Sequence, residues 1–318
     1  MRVLHVDTAT ELRGGQRQLA LLVEGLAASG IAQRVACPVD APLRELLDVP
    51  LVDVRPGNHP GNLGVLRRAS SDADLVAAHT SHAHFAGLAV QTPLVVHRRV
   101  DFAPGGLLSR AKYAAAAAFV CVSLAVARVL QTAGVATERL HVVPDGVRAL
   151  PRQPAAELGE GPVVLAVGAL VDHKDHRTLA EAAEGIPARV VVAGEGPLRS
   201  ALASTRLELL GHRDDVSALF ERAQVFVHPS KEEGMGQVVI EALLAGLPVV
   251  ATRAGGVPEV VGDAGLLVPV GDAKALAAAV REALDGRHPP RARALARGAC
   301  FSVEAMVEGT LAAYESVL

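Results

Sequence analysis

The residues best suited to chemistry lie in the segment 225–252, where an apolar strand is followed by a charged, glycine-rich loop and then by a helix. Gly234 and Gly236 allow the backbone to approach a ligand closely, because glycine has no Cβ. The amides of residues 236–238 begin the helix, which ends near Gly246, and they lie at the positive end of its dipole. Because such a helix start binds phosphate, the segment predicts a phosphate site.

Two carboxylates flank this predicted phosphate site at a spacing of eight residues, Glu233 in the loop and Glu241 in the helix. A carboxylate beside a phosphate is electrostatically unfavourable unless it does other work, such as accepting hydrogen bonds from sugar hydroxyls. On spacing alone a second interpretation stays open. In that interpretation Glu232 and Glu233 belong to a solvated loop, and Glu241 is a surface residue of the helix.

A second polar cluster follows the apolar strand at residues 94–97, where His97, Arg98, Arg99 and Asp101 lie close together in the sequence. A lone histidine at a strand end is more often a hydrogen-bonded structural residue than a functional one. Arg98 and Arg99 either bind an anionic acceptor or are simply solvated, and the residue types leave both interpretations open.

Three histidines after another strand, His79, His82 and His84, have a spacing that superficially suits a metal. No cysteine or carboxylate completes a zinc set, so contacts with an acceptor are favoured over a metal site. Asp72 and Asp74 form a D-x-D pair, but they precede a strand, whereas metal-binding carboxylates are expected after one. We therefore expect a solvated turn at these aspartates and no metal.

The composition disfavours several classes of protein. Hydrophobic residues make up 50% of the 318 residues and the mean hydropathy is +0.31, which excludes global disorder and suits two domains of ordinary size. The longest run without Asp, Glu, Lys, Arg or His, residues 113–127, is shorter than the ~20 residues that span a bilayer. Asp7 comes too early for a signal peptide. Aromatic residues are 3% of the chain and Trp is absent, which disfavours nucleic-acid binding.

Cysteine and glycine patterns add two further expectations. Cys37, Cys121 and Cys300 lie in apolar runs, which predicts buried free thiols and no disulfide framework. Gly194 and Gly196 lack the third glycine and the downstream acid of a dinucleotide-binding fingerprint, which disfavours a dehydrogenase. The chain is therefore expected to be a soluble, cytoplasmic protein.

Apolar runs that alternate with helical patterns predict the fold. The predicted strands cover residues 3–6, 34–37, 51–54, 75–78, 94–97, 119–123 and 140–143, and then 162–167, 188–193, 207–210, 225–228, 248–251 and 265–268. Continuous apolar strands between helices indicate parallel sheets covered on both faces. A polar linker at 151–161 separates the two sets, and an amphipathic helix is predicted from 302 to 318. The sequence predicts two doubly wound α/β domains, whose ligands bind at the carboxyl ends of strands.

Charge is unevenly divided between the two halves of the chain. Residues 1–150 carry 15 Lys and Arg against 12 Asp and Glu, or +3, whereas residues 151–318 carry 16 against 22, or −6. This excess predicts an anionic or membrane-associated acceptor on the N-terminal domain, with peripheral contact with the inner membrane. Leu107 and Leu108, beside Arg110 and Lys112, predict an amphipathic segment for that contact.

The chain resembles glycosyltransferase family 4 in several motifs. Glu233-Gly234-Met235-Gly236 with Glu241-Ala242, followed by residues 246–252 and 255–259, resembles the E-x7-E region of that family. Residues 13–17 resemble its glycine loop, residues 142–147 the segment before its interdomain linker, and residues 193–198 and 210–216 two strand ends of its donor domain. The order and spacing of these motifs extend the resemblance over nearly the whole chain.

The resemblance implies a GT-B fold of two Rossmann-like domains. Residues 1–150 would bind the acceptor, residues 151–300 would bind a nucleotide diphosphate sugar as donor, and the helix at 301–318 would pack back on the N-terminal domain. It also implies a retaining enzyme that transfers a hexosyl unit to a hydroxyl, in the synthesis of cell-envelope polysaccharide, lipopolysaccharide or glycolipid. Neither a cofactor nor a metal is expected.

The family roles fall on matching residues of this chain. The resemblance implies catalytic roles for His97 near the reacting carbon, Glu233 at the donor sugar or its phosphate, and Lys174 on the diphosphate. The donor would also contact Glu241 through its ribose, His212 and Arg213 around its base, and Gly14, Gly15, Gly234, Met235, Gly236, Gln237 and Val238 around its diphosphate. Acceptor contacts are assigned to Arg98, Arg99, His79 and His82.

One departure from the family pattern leaves alternatives open. Ala169 stands where the family usually has an arginine that pairs with the lysine, and Arg177 or His173 would have to replace it. A nucleotide-sugar 2-epimerase of the same fold is one rival function, and a non-catalytic nucleotide-sugar-binding protein, which Ala169 favours, is another. The sequence does not determine the donor's base and sugar, the acceptor or the oligomeric state.

Overall fold

The predicted strands form two parallel sheets in the computed structural model, which describes residues 1–103 and 112–318. One unit consists of Met1–Gly146 with Ser302–Leu318, and the other consists of Val147–Phe301. Residues 151–161, the predicted linker, form neither helix nor strand and belong to the second unit. The doubly wound α/β fold is confirmed in each unit.

The first unit contains a seven-stranded sheet. Its strands are β1 (Arg2–Val6), β2 (Ala32–Pro38), β3 (Leu51–Val54), β4 (Leu75–Ala78), β5 (Leu94–Arg98), β6 (Ala118–Cys121) and β7 (Leu140–Val142). Their order in the sheet is β3-β2-β1-β4-β5-β6-β7, and neighbouring strands are parallel. Its helices include α1 (Gly14–Ala28), α2 (Gly61–Ala69), α3 (Ser81–Ala86) and α4 (Leu124–Thr132).

The second unit contains a six-stranded sheet. Its strands are β8 (Val163–Val167), β9 (Arg189–Ala193), β10 (Leu207–Gly211), β11 (Val225–His228), β12 (Val249–Thr252) and β13 (Leu266–Val268), in the order β10-β9-β8-β11-β12-β13. The helices are α5 (His176–Ala183), α6 (Arg199–Leu202), α7 (Val216–Arg222), α8 (Gln237–Ala245), α9 (Val257–Val261), α10 (Ala273–Leu284) and α11 (Arg291–Ala299). Helices cover both faces of the sheet, which is why its strands are continuous apolar runs.

Each sheet has one point at which the order of its strands reverses. In the first sheet this switch point lies between β1 and β4, and in the second it lies between β8 and β11. The connections that leave such a pair of strands run to opposite faces of the sheet, and a crevice opens between them. The loops after these four strands are therefore where a ligand is expected.

The C-terminal helix α12 (Val303–Glu315) belongs to the first unit, as predicted. The Ser302 hydroxyl caps its start by accepting a hydrogen bond from the Ala305 amide at 3.1 Å. The helix packs closely against α1, since a Cβ on Gly25 would lie 2.4 Å from Val307 Cγ2. Tyr314 is fully buried in the core of this unit.

The cysteines differ from expectation at one position. Cys37 and Cys121 are buried free thiols, whereas Cys300 is exposed. The prediction is wrong for Cys300 because this residue follows the last turn of α11, beyond the face of that helix that is buried. In the described residues, none of the helices combines the length and the apolar character needed to cross a bilayer.

Candidate functional site

Two loops meet at the switch point of the second sheet. The loop after β8 contains a 3-10 turn, Asp172–Lys174, and the loop after β11 contains Glu233. The backbone amide of Lys231 donates to the His173 carbonyl at 2.8 Å and ties the two loops together. Beside this link the Lys174 ammonium forms an ion pair with the Glu233 carboxylate. The structure therefore brings together two of the predicted catalytic residues.

Asp175 fixes the turn that presents Lys174. Its φ of 48° lies in the left-handed region, which no other non-glycine residue of the described chain adopts. The buried Asp175 carboxylate accepts a hydrogen bond from Thr178 Oγ1 at 2.7 Å and lies 3.3 Å from Lys231 Nζ. Aspartate tolerates this backbone because its short side chain can make such local hydrogen bonds.

His228, a histidine that sequence reasoning did not single out, completes the cluster. It ends β11 and is 2% exposed, and its Nε2 lies 3.2 Å from Glu233 Oε2 and 3.0 Å from Ser230 Oγ. A carboxylate can only accept, so Nε2 carries the proton in this contact. Thr252 Oγ1 donates to the Ser230 carbonyl and so holds the turn between the strand and the loop.

This environment keeps Glu233 ionised. Burial by itself raises the pKa of the Glu233 carboxyl, but the His228 hydrogen bond and the charge of Lys174 outweigh burial and lower the pKa to about 2. Burial lowers the pKa of His228 more than Glu233 raises it, so the imidazole is neutral at pH 7. A carboxylate that is ionised at neutral pH is suited to accept hydrogen bonds or to stabilise positive charge, and it is a poor proton donor.

The helix after this loop begins where the sequence predicts. Gly236 is the N-cap of α8 with a φ of 91°, a conformation in which any other residue would be strained. A Cβ at this position would also lie 3.3 Å from Val239 Cγ2. Gln237 and Val238 form the first turn, at the positive end of the helix dipole. This start has the geometry of a phosphate site.

The other donor-site candidates on this loop and helix differ in exposure. Gly234 and Glu241 are half-buried and Met235 is buried. Glu232 is exposed, whereas the Glu233 side chain is 16% exposed. The solvated-loop interpretation therefore applies to Glu232 and is wrong for Glu233, because the neighbouring cation and imidazole draw its carboxylate inward.

His212 and Arg213 lie at the same edge of the sheet, two strands away from β8. They follow β10, and His212 Nε2 lies 3.2 Å from Asp214 while the Arg213 guanidinium pairs with Asp215. His212 is exposed and Arg213 is half-buried. A contact with a nucleotide base stays a prediction for both.

The two candidates for the second cation are exposed. His173 lies in the 3-10 turn and Arg177 lies in the first turn of α5. The carbonyl oxygen of Ala169, the residue at the position of the family arginine, lies 3.2 Å from His176 Nε2. Neither candidate is buried against the ion pair, and the replacement of the family arginine stays a prediction.

Buried histidines line the switch point of the first sheet. His5 Nδ1, on β1, lies 3.0 Å from His79 Nε2, and the ring of His79 stacks on that of His97 with centroids 4.2 Å apart. His97 Nε2 lies 2.8 Å from the Tyr314 hydroxyl on α12. His97 thus has the surroundings of a hydrogen-bonded structural residue, and a role near a reacting carbon stays a prediction.

Burial depresses the pKa of these histidines, because it disfavours the charged imidazolium. It lowers the pKa of His5 to about 4 and holds those of His79 and His97 well below their ordinary value. Elsewhere in the chain, burial lowers the pKa of His84 to about 3 and that of His176 to about 4. All five are neutral at pH 7.

We therefore expect the free energy of unfolding to fall as the pH is lowered from 7.5 to 5.5. The folded pKa values lie below the unfolded value of about 6.5, so the unfolded chain alone binds these protons below that pH. Below about pH 6.5, each such histidine lowers the free energy of unfolding by ~1.4 kcal/mol per pH unit, until the pH reaches the pKa of that histidine in the folded state. Urea unfolding at the two pH values measures the change, and His82→Gln, at an exposed position, should leave it unaltered. A free energy that stays constant or rises on acidification contradicts this account.

Arg98 and Arg99 are not the solvated pair that one interpretation predicts. The Arg98 guanidinium is buried, donates to the Phe102 carbonyl and lies 4.7 Å from the centroid of the Phe102 ring. Arg99 Nε donates to Asp145 at 2.9 Å in a largely buried ion pair. The solvated interpretation is wrong because both side chains are packed at the carboxyl end of β5, and acceptor binding by either stays a prediction.

Gly14 and Gly15 begin α1, in the loop that follows β1. The Gln16 side chain organises this helix start, because its Oε1 accepts from the Arg13 amide at 3.2 Å and its Nε2 donates to Asp7 at 2.9 Å. Asp7 is fully buried, and burial raises the pKa of its carboxyl. The predicted glycine loop is therefore anchored to the end of β1.

The remaining candidate histidines and aspartates differ in burial and in their partners. His82 is exposed on α3, whereas His84 is buried with its Nε2 3.1 Å from the Lys112 carbonyl. Asp72 and Asp74, in the turn before β4, form ion pairs with Arg34 on β2 and Arg2 on β1. Within residues 1–103 and 112–318, no group of three or more His, Cys, Asp or Glu side chains could hold a metal ion. Leu107, Leu108 and Arg110 of the predicted amphipathic segment lie outside the described residues.

Four residues of these clusters escaped sequence reasoning: His228, His5, Asp175 and Tyr314. His228 and His5 carry a usable signal, since each is a polar residue in a continuous apolar strand at a switch point. Asp175 carries only the general tolerance of aspartate for a left-handed backbone, and Tyr314 carries none, because its partner His97 lies on a strand 217 residues away.

Two family models match the chain. The model described as Glycosyltransferase Family 4 matches residues 12–149, and the model described as Glycosyl transferases group 1 matches residues 161–286. Together the two models match most of both units.

Several curated proteins and solved structures are similar to the chain. O-antigen chain mannosyltransferase B of Escherichia coli is 38% identical over 105 residues, which are 32% of this chain and 28% of that protein. The lipopolysaccharide core biosynthesis glycosyltransferase LpsE of Rhizobium meliloti is 33% identical over 134 residues, 39% of each chain. The aligned segments span less than half of the length of these relatives. The crystal structure of Anabaena HepE in complex with UDP shares the fold, with a TM-score of 0.84 over 100% of both chains at 22% identity.

Proposed function

We propose, because this chain belongs to glycosyltransferase family 4 and has the GT-B fold, that it is a retaining glycosyltransferase that moves a hexosyl unit from a nucleotide diphosphate sugar to a hydroxyl. The observation that carries the proposal is the ion pair of Lys174 and Glu233 beside the start of α8. A cation and a helix start suit a diphosphate, and an ionised carboxylate suits the sugar attached to it.

The second unit is the proposed donor site. The amides of residues 236–238 and the Lys174 ammonium bind the diphosphate, and Glu233 accepts hydrogen bonds from the donor sugar. Glu241 binds the ribose hydroxyls, and the strand end that carries His212 and Arg213 frames the base. Since HepE was crystallised with UDP, uridine nucleotides are the first donors to test.

The chemistry needs no covalent nucleophile from the protein. The bond between the anomeric carbon and the diphosphate oxygen breaks while the acceptor oxygen bonds to the same face of that carbon, and the leaving phosphate takes the acceptor proton. Lys174 and the helix start stabilise the negative charge that develops on the leaving group. Glu233, an anion, stabilises the positive charge that develops at the anomeric carbon.

The first unit is the proposed acceptor site, with His79, His82, Arg98 and Arg99 as candidate acceptor contacts and His97 as the candidate near the reacting carbon. The Escherichia coli and Rhizobium meliloti relatives are named for O-antigen chain and lipopolysaccharide core synthesis. We therefore place the reaction in the synthesis of envelope polysaccharide or glycolipid. The acceptor is then anionic or lipid-linked, and the enzyme acts in the cytoplasm with peripheral contact with the membrane.

An assay of donor turnover with and without acceptor tests the proposal. A thermal-shift screen against nucleoside diphosphates first identifies the base, because a ligand that binds the folded state raises its stability. With the matching sugar donor, release of the nucleoside diphosphate should depend on the acceptor, and the product should retain the donor's anomeric configuration. Epimerised sugar without acceptor would indicate a 2-epimerase instead, and tight binding without turnover a binding protein.

Activity should be unchanged by EDTA. The helix-start amides and Lys174 take the place of a divalent cation on the leaving group, so chelation removes nothing that the reaction uses. Initial rates with EDTA and with added magnesium or manganese measure this. Loss of activity on chelation, restored by either metal, would instead assign a metal to the diphosphate.

A further inference from the structure

We infer that His228 is a positioning residue for Glu233, and that its Nε2–H holds the Glu233 carboxylate in place when Lys174 turns to the donor diphosphate. The inference rests on the proposed function. It concerns a histidine that touches neither the diphosphate nor the acceptor in that proposal and acts only through Glu233.

The ammonium group of Lys174 has two partners in the proposed reaction, Glu233 and the donor diphosphate. In the structure Lys174 is ion-paired with Glu233. In the proposed reaction the same ammonium must stabilise the leaving diphosphate, so its contact with Glu233 weakens as the donor binds. Lysine has a flexible stem and one compact charge, which allows this movement but does not let it serve both partners fully.

His228 cannot move in the same way. It is a strand residue, 2% exposed, whose ring lies against Phe226 with centroids 6.4 Å apart. The turn after it is held by the hydrogen bond from Thr252 to the Ser230 carbonyl. Its Nε2–H therefore stays aimed at Glu233 Oε2 while the lysine side chain moves.

The consequence for Glu233 is electrostatic. A buried carboxylate without a partner takes up a proton and loses its charge, because burial disfavours the ionised form. Lys174 and His176 are titratable groups that face this pair, and burial keeps His176 neutral by lowering its pKa to about 4. Once Lys174 has turned away, the His228 hydrogen bond keeps the carboxylate ionised and directed at the sugar.

Three substitutions at His228 separate positioning from packing. His228→Gln places an amide N–H near the position of Nε2, His228→Asn has the same amide but a shorter reach, and His228→Phe keeps a ring without a donor. We expect kcat to fall roughly 10- to 100-fold in the Phe and Asn variants, as for loss of a hydrogen bond to a charged group, with a smaller change in the donor KM.

The pH dependence of kcat distinguishes the two roles, because a loss of packing alone would not change it. The Phe and Asn variants should acquire an acid limb in kcat, because Glu233 then protonates at higher pH, whereas the Gln variant should keep most of the activity and a profile like that of the original protein. Equal losses in the Gln and Asn variants, or an unchanged acid limb in all three, would overturn the inference.

A measurement without substrate keeps the inference separate from the proposed reaction. In Lys174→Met protein, the ¹³C NMR signal of the Glu233 carboxyl, assigned with Glu233→Gln, should stay constant between pH 5.5 and 8 because His228 still donates. In the double variant with His228→Phe it should titrate in this range. A constant signal in the double variant refutes the inference. A titrating signal supports the role of His228 even if no sugar transfer is found, in which case only the proposed function fails.

Discussion

Replacement of Glu233 with glutamine is expected to lower kcat/KM by ~10²-fold or more, the size of a lost electrostatic contact with the transition state. Glutamine keeps the shape of the side chain but removes the charge that faces Lys174 and, in the proposed reaction, the anomeric carbon. Most of the loss should appear in kcat, because the charge is needed most when the anomeric carbon becomes positive. Steady-state kinetics at saturating donor measure it.

The neighbouring residue provides a matched control for this substitution. Glu232 is in the same loop but exposed, so Glu232→Gln makes the same chemical change outside the cluster and should stay within a few-fold of the original activity. Urea unfolding checks that both variants are folded. A Glu233→Gln protein that retains most turnover with its fold intact would remove Glu233 from the active site.

The strands and the start of α8 could be predicted from the sequence because their signals are local. A strand such as β8, covered on both faces, is apolar at every position. The turn into α8 needs a left-handed residue at Gly236, and its end needs another at Gly246, so glycine marks both ends of the helix. The backbone of the proposed phosphate site can therefore be predicted from a short stretch of sequence.

The side-chain partners in the clusters could not be predicted, because they come from distant positions. Lys174 and Glu233 are 59 residues apart and become neighbours only because β8 and β11 pair in the sheet. The sequence did not show whether Arg99 is solvated or binds an acceptor, because its partner Asp145 follows β7, which lies two strands away in the sheet. Sequence patterns indicate which residues lie at the carboxyl edge of a sheet, but the pairing of charges there depends on the order of the strands.

The second large effect that we expect concerns Gly194, for which Gly194→Ala should destabilise the second unit by ~3 kcal/mol or more. A Cβ on Gly194 would lie 1.9 Å from the carbonyl oxygen of Gly168, and that oxygen belongs to backbone that cannot rotate away. The Gly168 amide donates to the Ala193 carbonyl and the Leu170 amide to the Glu195 carbonyl, both at 2.9 Å. Alanine would therefore force apart the two segments that follow β8 and β9.

The opposite substitution in the same contact is the control. A Cβ on Gly168 would meet Lys174 Cδ at 3.8 Å, an ordinary contact, so Gly168→Ala should cost ~1 kcal/mol or less. Urea unfolding of both variants compares the two sides of one backbone contact. Equal stabilities would contradict the close approach of these segments. The segment that begins at Gly168 and packs against Gly194 leads into the turn that presents Lys174. Any folded Gly194→Ala protein should therefore also lose sugar transfer, whereas Gly168→Ala should leave that turn in place.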